Sequence, residues 1–396
     1  PTLPVEGPDA PAVRLFVERA RAVAGGFEPD EAQLGTVSEI VRRLDGLPLA
    51  IELAAARLFT HDLAEVAAGL DHRFSLLTSG YRTSPRHESL RAAVSWSYGL
   101  LPAPLQEVFT SVAAFAGSFT EADAAAVTSV PEHEAATALA QLAERSLVQR
   151  APDHRYVLLE TLRAFGVEQL DATGRREEVG GGHARHLVEW VEVADRRMLE
   201  PGTTAVAEID RALPELHVAL GWLLEHRQAE LAGRLVVALL DYGIVRLRPD
   251  VLAWAERGAT VDPDDETTTA PQRWVAAAYA AWMGGDVDLA TRRAAHALTV
   301  AEHRPGPVPG EVWTIRGSCE LFLGSLEESA RFYRQAIEGC AHDRAQRLFA
   351  SASELLALGY ADHPSIEERA TALLDEVGRP EIPQAAYAWY CAGESD

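Results

Sequence analysis

From about residue 270 the sequence returns to itself, and that return limits the fold more than any other feature. Gly285-Asp286 precedes Ala290, Ala294 and Ala297, and Gly324-Ser325 precedes Ala330, Tyr333 and Ala336. Gly359-Tyr360 precedes Ala370 and Leu373, and Gly393 opens a fourth copy. The spacing from glycine to glycine is 34 to 39 residues. A single helical hairpin cannot bury its own apolar face, so this period predicts stacked helix pairs, with small residues where the pairs pack closely. The run Arg304-Pro305-Gly306-Pro307-Val308-Pro309-Gly310 reads as a linker between two copies.

The rest of the chain divides by its turn signals. Over residues 1–82, Phe16 to Ala24 reads as a helix stopped by Gly25-Gly26. Asp30 with Gln33 reads as a capping box, followed by Leu34, Val37, Val41 and Leu44 at helical spacing. Asp45-Gly46 closes that helix, and Pro48 opens the next at its first position, carrying Leu49, Leu53 and Leu58. Over residues 83–175 four helices are expected, marked by Leu90 and Val94, by Leu105 to Val112, by the cap Thr120 with Asp123, and by Ala136, Leu139 and Leu142. The period then changes. Leu147 to Arg150 and Tyr156 to Leu159 flank a turn, which predicts one β-hairpin and no other strand, and a helix follows from Thr161 to Leu170. Gly180-Gly181-Gly182 reads as a break before a helical region over 183–396. The predicted fold is therefore mainly α: a helical segment, a winged helix with one hairpin, then an α-solenoid.

Composition excludes several functions. All 36 basic residues are arginine, and lysine and asparagine are absent, as in proteins from very GC-rich genomes such as those of actinomycetes. A P-loop needs its lysine at the terminal phosphates, so this chain has none, and Schiff-base chemistry is excluded as well. The net charge of −23 repels nucleic acid over the chain as a whole. No apolar stretch is long enough to span a membrane, the N-terminus is no secretory signal, and the three cysteines form no CxxC pair, which together point to the cytoplasm.

Several strings carry a resemblance. Gly46-Leu47-Pro48-Leu49-Ala50 looks like the GLPL motif of the NB-ARC class of STAND signal-transduction ATPases. Ala12-Val13-Arg14-Leu15-Phe16 resembles that family's entry helix after the nucleotide core. Trp96-Ser97-Tyr98-Gly99-Leu100-Leu101, followed by Phe109 and Ala114-Phe115, is similar to the opening of its winged-helix domain. Arg43 to Arg57 and Tyr156 to Arg163 look like actinobacterial regulators of the AfsR/SARP and large LuxR type, whose C-termini carry tetratricopeptide-like (TPR-like) repeats. The resemblance implies an ARC-like helical domain over 1–82, a winged-helix domain over 83–175 and a TPR-like sensor over 183–396. It places Gly46, Leu47 and Pro48 near the bound ATP or ADP of an intact parent, with Leu47 and Pro48 lining the adenine. The family's Met-His-Asp motif is replaced by Leu158-Leu159-Glu160, and leucine cannot donate to a phosphate. Arg86 and His87 are the candidate substitutes.

Other clusters have plainer readings. His183, His186, Glu189 and Glu192 could be drawn as a metal site, but they also describe an exposed helix face, and no metal is expected. The repeat aromatics Trp254, Trp274, Tyr279, Trp282, Trp313, Phe322, Phe332 and Tyr333 fit either inter-repeat core or a ligand groove. The helix before the hairpin offers Glu132, Glu134 and Glu144 against Gln141 and Arg145, a poor surface for base edges.

These observations lead to a regulatory fragment of a STAND ATPase transcriptional regulator, without a catalytic motif and without a cofactor of its own. Its expected partners are the nucleotide-binding core and the effector domain of the parent, and a protein or small-molecule signal at the repeats; neither nucleic acid nor membrane is expected to bind directly. A stand-alone acidic TPR-type interaction scaffold is the alternative, and a DNA-reading winged helix is disfavoured by charge. The chain begins in a loop and ends within a repeat, so both ends read as cut. Leu355, Leu356, Leu373 and Leu374 would then be only partly covered by Tyr387, Trp389 and Tyr390.

Overall fold

The structure is a computed structural model. It describes residues 3–68 except 6, 8, 25, 45 and 60, residues 85–377 except 199, 201, 263, 265, 341 and 342, and residues 387, 388 and 391. The chain is mainly α-helical and divides into two compact units, residues 1–186 and 187–396.

In the first unit, α1 (Pro11–Val23) starts with proline at a position that needs no N–H donor. The expected capping box opens α2 (Glu31–Arg43): the Gln33 N–H donates to Asp30 and the Asp30 N–H donates to the Gln33 side chain. Pro48 begins α3 (Pro48–Ala55), which tightens into a 3-10 turn at 56–59. Phe16, Ile40, Val41, Leu44 and Ile51 form the buried centre of this part. α4 (Pro85–Gly99) serves two cores, since Trp96 joins that first cluster while Val94 joins the next.

The second core is built from α5 (Ala103–Val112), β1 (Ser118–Phe119), α6 (Glu121–Thr128), α7 (Glu132–Glu144), β2 (Gln149–Ala151), β3 (Arg155–Val157) and α8 (Glu160–Thr173). β3 lies between β1 and β2, antiparallel to both. One β-hairpin was expected, so β1 is an addition. Two residues are too few to show a period, and only pairing with β3 makes them a strand. Thr120 caps α6 with Asp123 in a reciprocal box. Phe109, Phe119, Leu139 and Leu142 are fully buried, and Phe115 stacks on Phe119 at 4.8 Å.

The glycine run does not break the chain. α9 (Arg176–Met198) passes through Gly180-Gly181-Gly182 without interruption. Each glycine costs about 1 kcal/mol against alanine in a helix interior, but Val179, His183, Ala184, Val188 and Val191 are buried on either side and hold the helix.

The second unit continues with α10 (Ala205–Glu225), α11 (Ala229–Ala238), α12 (Leu240–Val245), α13 (Pro249–Ala259), α14 (Ala270–Met283), α15 (Val287–Glu302), α16 (Gly310–Phe322), α17 (Leu326–Gly339), α18 (Arg344–Tyr360) and α19 (Ile366–Val377). From α12 onward these form four hairpins among the described residues. The hairpin turns sit at Leu247, Gly285, Gly324 and Asp362, all with positive φ and spaced 38, 39 and 38 residues apart. Each turn closes in the same way. The N–H after the turn residue donates to a carbonyl five residues back, Arg248 to Gly243, Asp286 to Ala281, Ser325 to Glu320 and His363 to Leu358, at 2.9 to 3.0 Å.

This corrects the period read from glycines alone. Gly359 lies inside α18, where a Cβ would stand 3.2 Å from Ile366 Cδ1, and Asp362 makes the turn. Gly393, Trp389 and Tyr390 lie outside the described residues. Helix pairs approach closely through small residues. A Cβ at Gly310 would fall 1.9 Å from Cys340 Sγ, and one at Gly317 would fall 2.9 Å from the Tyr333 ring. At the end of the stack Leu355 and Leu373 are buried together with Ala388 and Cys391, while Leu356, Leu374 and Tyr387 are half-buried.

Candidate functional site

The Gly46-Leu47-Pro48 corner is occupied by the chain's own N-terminal segment. Gly46 has φ +64°, its carbonyl accepts from the Leu3 N–H at 2.8 Å, and a Cβ there would lie 2.2 Å from the Leu3 carbonyl oxygen. Glycine is therefore required by both conformation and contact. Leu47 and Pro48 remain half-buried. Arg86 and His87 fall in the first turns of α4, but their side chains lie outside the described residues. A residue not singled out from sequence links the corner to the helices beyond. Arg57 is buried, donates to the Ser97 carbonyl and lies over the Trp96 ring at 5.6 Å. Burial, with Arg145 nearby, lowers its pKa to about 10.

At the position of the Met-His-Asp motif, Leu158 is buried, Leu159 stands just ahead of α8 and Glu160 binds Arg163 through two hydrogen bonds of 2.9 Å. The drawn metal set does not converge. His183 packs edge-on against Phe115, His186 is hydrogen-bonded to Asp123 at 2.8 Å, and Glu192 holds Arg234 at 2.7 Å. The exposed face of α7 carries Glu132, His133, Glu134, Thr137 and Glu144.

The arrangement with the most chemical character lies along the first helices of the four hairpins. Counted back from each turn, matching positions face the same way. Six residues before it stand Asp241, Tyr279, Ser318 and Leu356; three before it, Ile244, Trp282 and Leu321; two before it, Val245, Phe322 and Tyr360. These side chains line two cavities, of about 330 Å³ and about 530 Å³, that share Trp282, Ser318, Phe349 and Tyr387 as a common wall. Phe322 and Tyr360 are 63% and 65% exposed and form its apolar rim. Of the eight repeat aromatics named from sequence, Tyr279, Phe332 and Tyr333 are buried, the four tryptophans are half-buried, and Tyr279, Trp282, Phe322 and Tyr333 line these cavities.

One end of the smaller cavity is acidic, with Asp241 and Glu311 in its wall. Burial, then repulsion from Asp343 and Glu311, pushes the Asp241 carboxyl up to about 6. Asp195 on α9 is pushed up to about 7 by burial and then by Asp241, and Glu311 is also raised, chiefly by burial. Among the described residues no arginine pairs with Asp241 or Glu311, in a protein whose acids are otherwise widely paired. Glu354 shows the alternative: it is more deeply buried than either, and it meets Arg369 at 2.8 Å and Arg334 at 3.4 Å. The indole Nε1 of Trp282, on the shared wall, is buried and has no acceptor among the described residues. These acids lie on separate helices, so no local spacing marks them; position relative to the hairpin turn is the signal that finds Asp241.

No family model matches the chain. Over 257 residues it is 35% identical to proteins named "Putative HTH-type transcriptional regulator" in Mycobacterium bovis and Mycobacterium tuberculosis; the match covers 61% of this chain and 28% of theirs. An uncharacterized protein of Mycobacterium tuberculosis is 37% identical over 184 residues, covering 44% of this chain and 47% of that protein. The chain thus spans little more than a quarter of the length of the first relatives it matches. Among solved structures, a STAND protein with a tetratricopeptide repeat sensor from Pyrococcus horikoshii aligns over 97% of this chain and 69% of its own, at 10% identity and a TM-score of 0.35. No residue roles are transferred at that distance. No described helix is long and apolar enough to cross a membrane.

Proposed function

We propose that the chain is the regulatory part of a STAND-type transcriptional regulator, with the repeats as its signal-binding element. The observation that carries this reading is the inner face of the hairpin stack. A purely structural solenoid gains nothing from a cavity with unpaired carboxylates and an indole N–H without an acceptor, whereas a sensor needs such groups. The relatives named as HTH-type transcriptional regulators support a regulatory role.

In this reading the GLPL corner closes on ATP or ADP held by a core outside the chain, with Leu47 and Pro48 at the adenine and Arg86 and His87 towards the phosphates. The helices and three short strands of residues 85–173 have the composition of a winged helix and act as the lever between nucleotide states. The buried Arg57, bridging to Trp96 and Ser97, is the joint through which a shift in the corner reaches the lever. A signal at the repeats biases the switch by binding one packing better than the other. The chain itself hydrolyses no nucleotide and binds no duplex DNA; the acidic face of α7 supports the second statement.

The test is made in the full-length regulator. Deleting residues 187–396 should raise reporter transcription without signal by about tenfold, within the usual range of allosteric coupling. Unchanged output would overturn the restraint and favour a free-standing acidic interaction scaffold.

A further inference from the structure

We infer that the inner face of the repeats is a binding site for a small organic amine, a protonated ammonium carried on an apolar body. This deepens the reading of the repeats as the signal-binding element and rests on it. Three observations point to this ligand class.

The first is charge. Asp241 and Glu311 enter the smaller cavity from two different hairpins, and Asp343 at the start of α18 and Asp195 on α9 act on Asp241 as like charges. No described arginine pairs with Asp241 or Glu311, although the chain carries 36 arginines and sets two of them on Glu354 nearby in the same stack. Carboxylates gathered without a counter-charge repel each other, and a bound cation would relieve that repulsion.

The second is the lining. Tyr279, Trp282, Phe349 and Tyr387 line the same cavity as the two acids, and Phe322 and Tyr360 line the adjoining one. Aromatic faces attract an ammonium and exclude a hydrated metal ion, which needs oxygen ligands around it. The same surface accepts an aryl or alkyl body. The third is size. Cavities of about 330 Å³ and 530 Å³ with a common wall match a small molecule.

The full 396-residue chain is titrated calorimetrically at pH 7.5 with 4-phenylbutylamine, 4-phenylbutanol and 4-phenylbutyrate, which share one apolar body and differ in head-group charge. The amine should bind at least about tenfold more tightly than the alcohol, as expected for a charge-assisted contact at a partly desolvated carboxylate, and the carboxylate should bind weakest. Asp241→Asn should remove the preference for amine over alcohol. Glu311→Gln, on another hairpin, should lower the same preference and serves if the first variant folds poorly. Equal affinity for amine and alcohol, no binding by any of the three, or a preference that survives both substitutions would overturn the inference. Amine binding with no effect on transcription would instead overturn the sensor reading and leave the site standing.

Discussion

Asp123 in the first unit and Asp241 in the second are both aspartates in largely enclosed surroundings, and they are treated in opposite ways. Burial alone would raise Asp123, but the hydrogen bonds from His186 and from the Thr120 backbone outweigh it and hold its carboxyl at about 2. Asp241 receives no such donor among the described residues and is pushed up to about 6. The surroundings differ in the same sense. Around Asp123, aromatic residues fill the core, Tyr156 donates to Glu121 and Arg155 donates to Ser118. Around Asp241, helices pair through alanine and glycine, and the large side chains are turned to a cavity. A partnered acid belongs to the scaffold; an acid left without a cation on a cavity wall is where the proposed ligand would be met.

Phe119→Ala removes a fully buried ring from the first unit and should cost about 4 kcal/mol in urea denaturation, with faster amide exchange confined to residues 85–186. An equal loss of protection in the repeats would show that the two units do not fold separately. Gly310→Ala should cost the second unit about 2 to 3 kcal/mol by overpacking against Cys340; a neutral result would mean the hairpins can part without penalty.

Asp123→Ala removes half of a capping box and the partner of His186, for a loss of about 1 to 2 kcal/mol at neutral pH. Its folded pKa lies below the free value, so this contribution is present above about pH 4 and is lost as pH falls towards 2. Wild type and variant should therefore converge in acid denaturation, and a constant gap would contradict the assignment.

The smallest effect has the opposite sign. Asp241 holds its proton in the fold beyond the pH at which the unfolded chain releases it. Its contribution therefore turns unfavourable as pH rises from about 4 through about 6, with Glu311, Asp343 and Asp195 as the facing acids. Asp241→Asn should raise the melting temperature slightly at pH 8 and leave it unchanged at pH 4. A lower melting temperature at pH 8 would mean that the carboxylate has a stabilising partner.

Local signals made much of this fold legible. The capping boxes at Asp30 and Thr120, proline at the first position of α3 and the β2–β3 hairpin are set by neighbours within a few residues, and each is present in the structure. The failures share a cause. Leu247 and Asp362 take positive φ although neither is glycine, because the hydrogen bonds that close the turn outweigh the strain, so the repeat could not be tracked by glycine alone. Gly180 to Gly182 stay helical because packing on both sides overrides propensity. Asp241, Glu311 and Asp195 come together only through the stacking of hairpins, and no local spacing announces them. The aromatics stand out in the sequence, but only the structure separates Tyr333 in the core from Phe322 on the rim.

Amide hydrogen exchange across the whole chain, with and without 4-phenylbutylamine, reads ligand binding helix by helix. Protection should rise in α12, α14, α16 and α18, the helices that line the cavities, and the rise should disappear in Asp241→Asn. No change in those helices, or protection appearing instead at residues 31–59, would contradict the assignment of the repeats as the ligand-binding face.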